Sequence, residues 1–411
     1  ILIFYCYFFL KKIRRNTINP NLLNLGTENA FVILGKAEKL KNEGKNIINL
    51  GIGQPDFSTP EHIVEAAVKA LNDGKHGYTP ANGLLELREA VCEDIIKRRN
   101  TEVDPDNILI VPGGKVTMWH AILMFGGKNN EIIYPNPGFP IYESVINYTG
   151  AKAVPMILED KTDFNVNIEK LKSLINKNTS LIILNSPSNP TGGLISKIDM
   201  DKIVEILDEN PHIKILSDEI YSRIVYKGNE FISLLSYPQI RDRLIVLDGW
   251  SKTYAMTGWR IGYSVWPKKY VKMSERLNIN SFSCTNTATQ YAAIAALKGP
   301  QDCVDNMNQI FEKRGEMISK ELNSIDGFSC NSSKGAFYVL PSIKKTGLTS
   351  DQLQDFLLYH LGITTVSGKS FGEFGEGYLR ISYANSEENI KEAISRISNF
   401  LQDNKWENAK N

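Results

Sequence analysis

Lys252 stands in "DGWSKTYAMTGWRIGY" (248–263), a run of aromatic and small apolar residues. An ammonium is out of place there, because lysine normally keeps its charge in water. A lysine held at low dielectric has a lowered pKa and becomes a nucleophile able to form a Schiff base with a carbonyl. The competing reading is a lysine whose stem lies along apolar surface while its head reaches solvent. Arg260, between Trp259 and Ile261, offers a planar fork suited to phosphate oxygens.

Other stretches carry complementary chemistry. Asp218 in "SDEIY" (217–221) follows an apolar run and could hold a proton on a heteroaromatic nitrogen; the alternative is a helix N-cap. Asn189 lies between Ser188 and Pro190 in "NSPSNPTG" (185–192), where its amide could donate to a ligand oxygen or simply serve an Asn-Pro turn. Gly113 and Gly114 in "PGGK" precede a helical pattern. Glycines let backbone amides approach an anion, and a helix start leaves amides free. The pattern is not GxxxxGK[ST], so no nucleotide P-loop is implied. Arg380 in "YLRIS" sits inside an apolar strand, as expected of a bidentate carboxylate site or of an ion pair between domains. Phe139 in "PNPGFP" could stack on a ring or belong to the core.

These parts fit one cofactor. Pyridoxal phosphate needs a lysine for its aldehyde, an acid for its pyridine nitrogen and an anion site for its phosphate.

The elements that must position them read as follows. "ILIV" (108–111), "EIIY" (131–134), "LIIL" (181–184), "IKIL" (213–216) and "LIVL" (244–247) are apolar throughout, the pattern of strands buried on both faces. Helical patterns alternate with them at 60–72, 115–125 and 167–176. The first has Thr59 as its expected cap and Gly74 as its stop. The expectation is an α/β fold: a large domain with a mostly parallel sheet flanked by helices, plus a smaller α+β domain. Each glycine-rich or charged cluster follows a strand, so all fall on the carboxyl edge where ligands bind in open α/β sheets. Helical stretches at 302–325, 350–361 and 386–402, with strands at 336–341 and 378–384, make up the small domain. The expected partition is an extension over 1–20, an arm and part of the small domain over 21–59, the large domain over 60–295, the small domain over 296–405 and a tail over 406–411. "ILIFYCYFFL" followed by "KKIRR" is too short to span a bilayer and reverses the order of a secretory signal. It reads as an over-extended gene model or a truncated frame, with a membrane-surface anchor as the alternative.

Composition sets the outer limits. A chain of 411 residues, 42% apolar and 23% charged, matches a soluble globular protein of about two domains. A net charge of +1 gives no electrostatic ground for nucleic-acid or membrane partners. Five scattered cysteines without a CxxC pair point to a reducing, cytoplasmic setting, and five scattered histidines to no metal site.

In combination, "SNPTG" (188–192), "SDEIY" (217–221), "SKTYAMTGWRIGY" (251–263) and "YLRISYA" (378–384) resemble the class I/II pyridoxal-phosphate-dependent aminotransferases of the aspartate aminotransferase superfamily, fold type I, over about residues 25–403. The resemblance implies a transaminase acting on an amino acid and a 2-oxo acid, with aspartate or a broad range of donors first. It implies that Lys252 carries the cofactor and shuttles the α-proton, that Asp218 keeps the pyridinium charged, and that Asn189 and Tyr221 bond the phenolic oxygen. The Gly114 amide, Ser251 and Arg260 would hold phosphate. Tyr78 in "HGYTPANG" resembles a tyrosine that reaches the neighbouring subunit's phosphate, which implies a homodimer with shared active sites. Arg380 would bind the α-carboxylate, with Gly53 lining the same pocket and Phe337 and Tyr338 walling it. The sequence departs from the best-known members in one respect: 278–291 contains no arginine for a distal carboxylate. Lys115 fits the position that a related subgroup uses for that purpose, and Glu28 in "GTENAF" lies near residues that the subgroup fills with hydroxyls. Aromatic or aliphatic donors, or a lyase on the same fold, are the alternatives. A nicotinamide oxidoreductase is disfavoured because Asp56 stands where the last glycine of GxGxxG belongs in "GIGQPD". A transcription regulator is disfavoured because the chain has no room for a DNA-binding domain.

Overall fold

A computed structural model of the chain describes residues 18–403 and 405–410. Among the described residues twelve strands run in chain order. They are β1 (Ile48–Asn49), β2 (Ile108–Val111), β3 (Glu131–Asn136), β4 (Lys152–Ile157), β5 (Thr179–Asn185) and β6 (Lys214–Asp218). The rest are β7 (Leu244–Gly249), β8 (Gly262–Val265), β9 (Tyr338–Val339), β10 (Ile363–Thr364), β11 (Val366–Ser367) and β12 (Leu379–Ser382).

Seven of them form the central sheet in the order β2-β8-β7-β6-β5-β3-β4. All its pairings are parallel except those made by β8, which is antiparallel to both β2 and β7. The five apolar runs are five of these strands, buried on both faces as their composition requires. Alternate residues enter different cores. Ile110, Ile182, Ile215 and Val246 pack on one face, while Leu109, Ile183, Leu216 and Ile245 pack on the other. Two strands of this sheet escaped the sequence reading. β4 is an edge strand of mixed polarity with Pro155 inside it, a residue whose missing amide is readily tolerated at an edge. β8 is the "GYSV" that ends the lysine motif.

β8 solves a positioning problem. The parallel strands deliver their carboxyl ends to one edge, and an antiparallel strand begins at that same edge. Gly262, the first residue of β8, pairs with Gly249 and Val111, the last residues of β7 and β2. Arg260, two residues upstream, therefore arrives beside Gly113 and Lys252. The approach is tight: a Cβ on Gly249 would lie 2.8 Å from the Gly262 Cα.

The helices Lys115–Phe125, Ile168–Leu174, Asp302–Asn323 and Ser350–Leu361 form where periodicity places them. Glu61–Asn72 does too, but its N-cap is Pro60. Thr59 does not cap it: the Thr59 hydroxyl donates to the Ala255 carbonyl at 2.8 Å and accepts from Trp259 Nε1 at 3.0 Å. A tertiary bond to the loop after Lys252 outcompetes the local one.

A third core joins Leu50, Tyr221, Phe337, Leu357, Leu379 and Ile381. β11-β12-β9 form a small sheet, and β1 pairs in parallel with β10. The 48–50 segment thus packs with C-terminal elements. Of the expected extension, residues 1–17 lie outside the described residues; Pro20–Asn24 form a 3-10 turn. At the other end Trp406 is buried against Phe328, and its indole donates to the Asp326 carbonyl at 2.7 Å.

Candidate active site

A cavity of about 560 Å³ opens at the carboxyl edge of the central sheet. Its lining includes Gly53, Gly114, Lys115, Phe139, Asn189, Asp218, Tyr221, Ser251, Lys252, Arg260, Tyr338 and Arg380. Residues from 53 to 380 in sequence thus share a space suited to a small ligand. Among the described residues no cluster of His, Cys, Asp and Glu could hold a metal ion.

Lys252 lies in a one-turn helix, Trp250–Thr253, directly after β7. Its Nζ donates to the Gly53 carbonyl at 2.6 Å and sits 5.8 Å from the centre of the Phe337 ring. Burial brings the amine down to about 8; Glu28 opposes the shift, while Arg380, Arg260 and Lys115 reinforce it. An amine in that range is available as a nucleophile near neutral pH.

Asp218 ends β6 and is buried. Burial pushes its carboxyl up to about 6, against the hydrogen bonds that favour the anion. Those bonds come from the Tyr142 hydroxyl to Oδ2 at 2.6 Å and from the Ile220 amide to Oδ1 at 3.3 Å. Asp218 caps no helix. Among the described residues no lysine or arginine forms an ion pair with it. A buried carboxylate without a cationic partner suits a ring that brings its own protonated nitrogen.

At the end of the cavity expected to take an anion lie Gly114, Ser251 and Arg260, with Gly113 against Arg260. Gly113 has φ +85°, and a Cβ there would lie 2.3 Å from Arg260 Nη2. The left-handed turn favours glycine, and any side chain there would displace the guanidinium. Gly114 is the N-cap of Lys115–Phe125, so the amides of the first turn face the cavity end of the helix. Arg260 is exposed, and its Nη1 donates to the Thr257 carbonyl at 2.7 Å. Cradle, uncompensated acid and depressed lysine together fit pyridoxal phosphate.

Arg380 is buried between two rings, 4.7 Å from the Tyr338 centroid and 4.8 Å from that of Phe371. Its Nη1 donates to Asn189 Oδ1 at 3.1 Å and its Nη2 to the Gly51 carbonyl, while its Nε is buried without a partner. Tyr221 and Tyr338 share a hydroxyl–hydroxyl bond of 2.9 Å. Burial raises the Tyr221 phenol well above its ordinary value, so it remains protonated.

Lys115 Nζ is paired with Glu28 Oε2 at 2.8 Å and lies 5.3 Å from the centre of the Phe139 ring. Tyr78 is not in the cavity of its own chain; it is 92% exposed. Tyr142 and Asn185 were missed in the sequence. Asn185, the last residue of β5, lines the cavity, and its amide donates to the Asp218 carbonyl at 3.1 Å while its oxygen takes the Asn189 amide at 2.9 Å. The one signal for Tyr142 was its place three residues after Phe139, which lies just before the helix Ile141–Thr149 that carries it.

The profile described as aminotransferase class I and II matches residues 45–397. An aspartate aminotransferase of Pyrococcus abyssi is 36% identical over 364 residues, 88% of this chain and 93% of that protein. An aromatic-amino-acid aminotransferase 2 of Thermococcus litoralis is 37% identical over 364 residues, with the same coverage of 88% and 93%. The crystal structure of the aspartate aminotransferase of Rhizobium meliloti is similar with a TM-score of 0.89 and 32% identity, covering 93% of this chain and 98% of that one. The expected fold and reaction class agree with these relatives. The chain belongs to the class I and II aminotransferase family: it is a pyridoxal-phosphate-dependent transaminase, working on an amino acid and a 2-oxo acid.

Proposed function

We propose that the cavity transfers the amino group of a broad range of L-amino acids, aspartate among them, to a 2-oxo acid such as 2-oxoglutarate, with Lys252 as the working amine. The observation that carries this is Lys252, with its amine brought down to about 8, in one cavity with the uncompensated Asp218 and the ring-clamped Arg380.

Pyridoxal phosphate, when bound, supplies an aldehyde for amines and a ring that draws electrons from the substrate's α-carbon. The side chains do the rest. Lys252 is the amine that holds the cofactor and then moves the α-proton, a task its lowered pKa suits. Asp218 holds a proton on the ring nitrogen, and Tyr142 keeps that carboxylate ionised. Asn189 and Tyr221 present polar hydrogens toward the ring's oxygen. The first-turn amides at Gly114, with Ser251 and Arg260, bind phosphate. Phe139 offers a ring face. Arg380 binds the α-carboxylate with a planar fork held in place between the Tyr338 and Phe371 rings. Lys115 is the cation nearest in kind to what a distal carboxylate requires.

A homodimer belongs to the same reading. Tyr78 is 92% exposed, and Val68 and Leu71 on the neighbouring helix are 51% and 53% exposed, an apolar surface that a second copy would cover. Four free cysteines among the described residues support a reducing, cytoplasmic setting. Among the described residues no helix is long and apolar enough to cross a membrane.

The test is a donor panel with 2-oxoglutarate or pyruvate as acceptor, run on the wild type and Lys252→Ala. Keto acid should form from several donors with the wild type and fall by at least about a thousandfold in the variant. An amino-acid-sensitive cofactor absorbance that survives Lys252→Ala would show that another residue is the working amine.

A further inference from the structure

The mouth of the cavity carries a feature that the reaction itself does not require. Glu28 occupies the N-cap position of the helix Asn29–Asn42, yet its carboxylate makes no capping bond. An acid at that place ordinarily accepts the helix's own free amides. Glu28 instead reaches Lys115 Nζ at 2.8 Å, across 87 residues of chain. The pair is not deeply buried: side-chain exposure is 20% for Glu28 and 39% for Lys115. Such a pair is weak and exchanges its partners readily. Around it the cavity is apolar, with Phe31 one turn along the same helix, Ile52, and Phe139 beneath the Lys115 ammonium.

Resting on the transaminase reading above, we propose that Glu28 is a specificity-determining residue: an internal carboxylate that competes with the distal carboxylate of acidic substrates for Lys115. A neutral donor leaves the Glu28–Lys115 pair closed and lays its side chain along Phe31 and Ile52. A dicarboxylic substrate takes Lys115 over, and Glu28 must turn out to solvent. Two carboxylates left on one ammonium would repel each other, so acidic substrates bind against a penalty that neutral ones do not meet. One pocket thereby serves both classes, with the balance set by a residue of the N-terminal segment.

The test is binding of two substrate-like inhibitors to the holoenzyme at fixed pH and ionic strength. Maleate represents a dicarboxylate and hydrocinnamate an apolar monocarboxylate, and both are followed by the change in cofactor absorbance. Glu28→Gln should raise the preference for maleate over hydrocinnamate by about three- to tenfold, the range of an exposed ion pair plus the relieved repulsion. Glu28→Ala should move it in the same direction. In a Lys115→Gln background the same Glu28 change should leave the preference where it was. An unchanged ratio in both Glu28 variants, or a gain that persists without Lys115, overturns the proposal. Neither result bears on transamination itself, which fails separately if the wild type makes no keto acid from any donor.

Discussion

The Tyr142 hydroxyl donates to Asp218 Oδ2 at 2.6 Å, and among the described residues no lysine or arginine forms an ion pair with that carboxylate. The bond opposes burial, which by itself drives the Asp218 proton on. Tyr142→Phe removes it without altering shape, so the Asp218 pKa should rise beyond about 6. Affinity for pyridoxal phosphate should fall about tenfold, the usual worth of a hydrogen bond to a charged group. The loss should be larger near pH 6 than near pH 8, because protonated Asp218 is populated only at the lower pH. Absorbance titration of the cofactor-free protein at both pH values measures this. Equal losses at the two would mean that Tyr142 acts by packing alone.

Arg380 is clamped between Tyr338 and Phe371, a geometry that a planar guanidinium satisfies and a lysine does not. Arg380→Lys should raise KM about a hundredfold for acidic, aromatic and aliphatic donors alike, by loss of a two-pronged charged contact. Steady-state kinetics with one donor of each kind would show it. A loss confined to one donor would move the α-carboxylate site elsewhere.

Lys252 makes stability depend on pH in the cofactor-free protein. Its folded-state pKa is about 8, below the ordinary 10.5. Between these values the unfolded chain holds a proton that the folded chain lacks, so stability rises with pH through that window. Below about 8 both states are protonated and the burial penalty is fully present. Lys252→Met should therefore be the more stable protein below about pH 8, with the advantage shrinking as pH climbs. Urea midpoints of the two proteins across this range give the answer.

Gly113 combines φ +85° with a position where a Cβ would meet Arg260 Nη2 at 2.3 Å. Gly113→Ala should cost about 1–3 kcal/mol of stability and release the cofactor more readily. A thermal melt paired with a count of retained pyridoxal phosphate separates the two effects.

Much of this site was legible because its chemistry is local. A lysine in an apolar run, an acid at a strand end and a glycine pair before a helix each announce themselves within ten residues, and short runs that are apolar throughout identify the strands of the parallel sheet. The parallel strands then carry them to one edge whatever the loops do. Thr59 shows where local reasoning fails. Its spacing suits a cap, but the Ala255 carbonyl and the Trp259 indole, nearly two hundred residues away in sequence, take its hydroxyl.

The sequence by itself determined the residue types that can bind an aldehyde, a ring nitrogen, a phosphate and a carboxylate, and the α/β frame that collects them. Only the tertiary structure decided how those groups are charged and held. Tyr142 on Asp218, Tyr338 on Tyr221 and Glu28 on Lys115 are pairings across 76, 117 and 87 residues, with no spacing rule to reveal them. Hydrogen bonds and ion pairs act over a few ångströms in space, and packing of the sheet against its helices, not distance along the chain, sets which groups come that close.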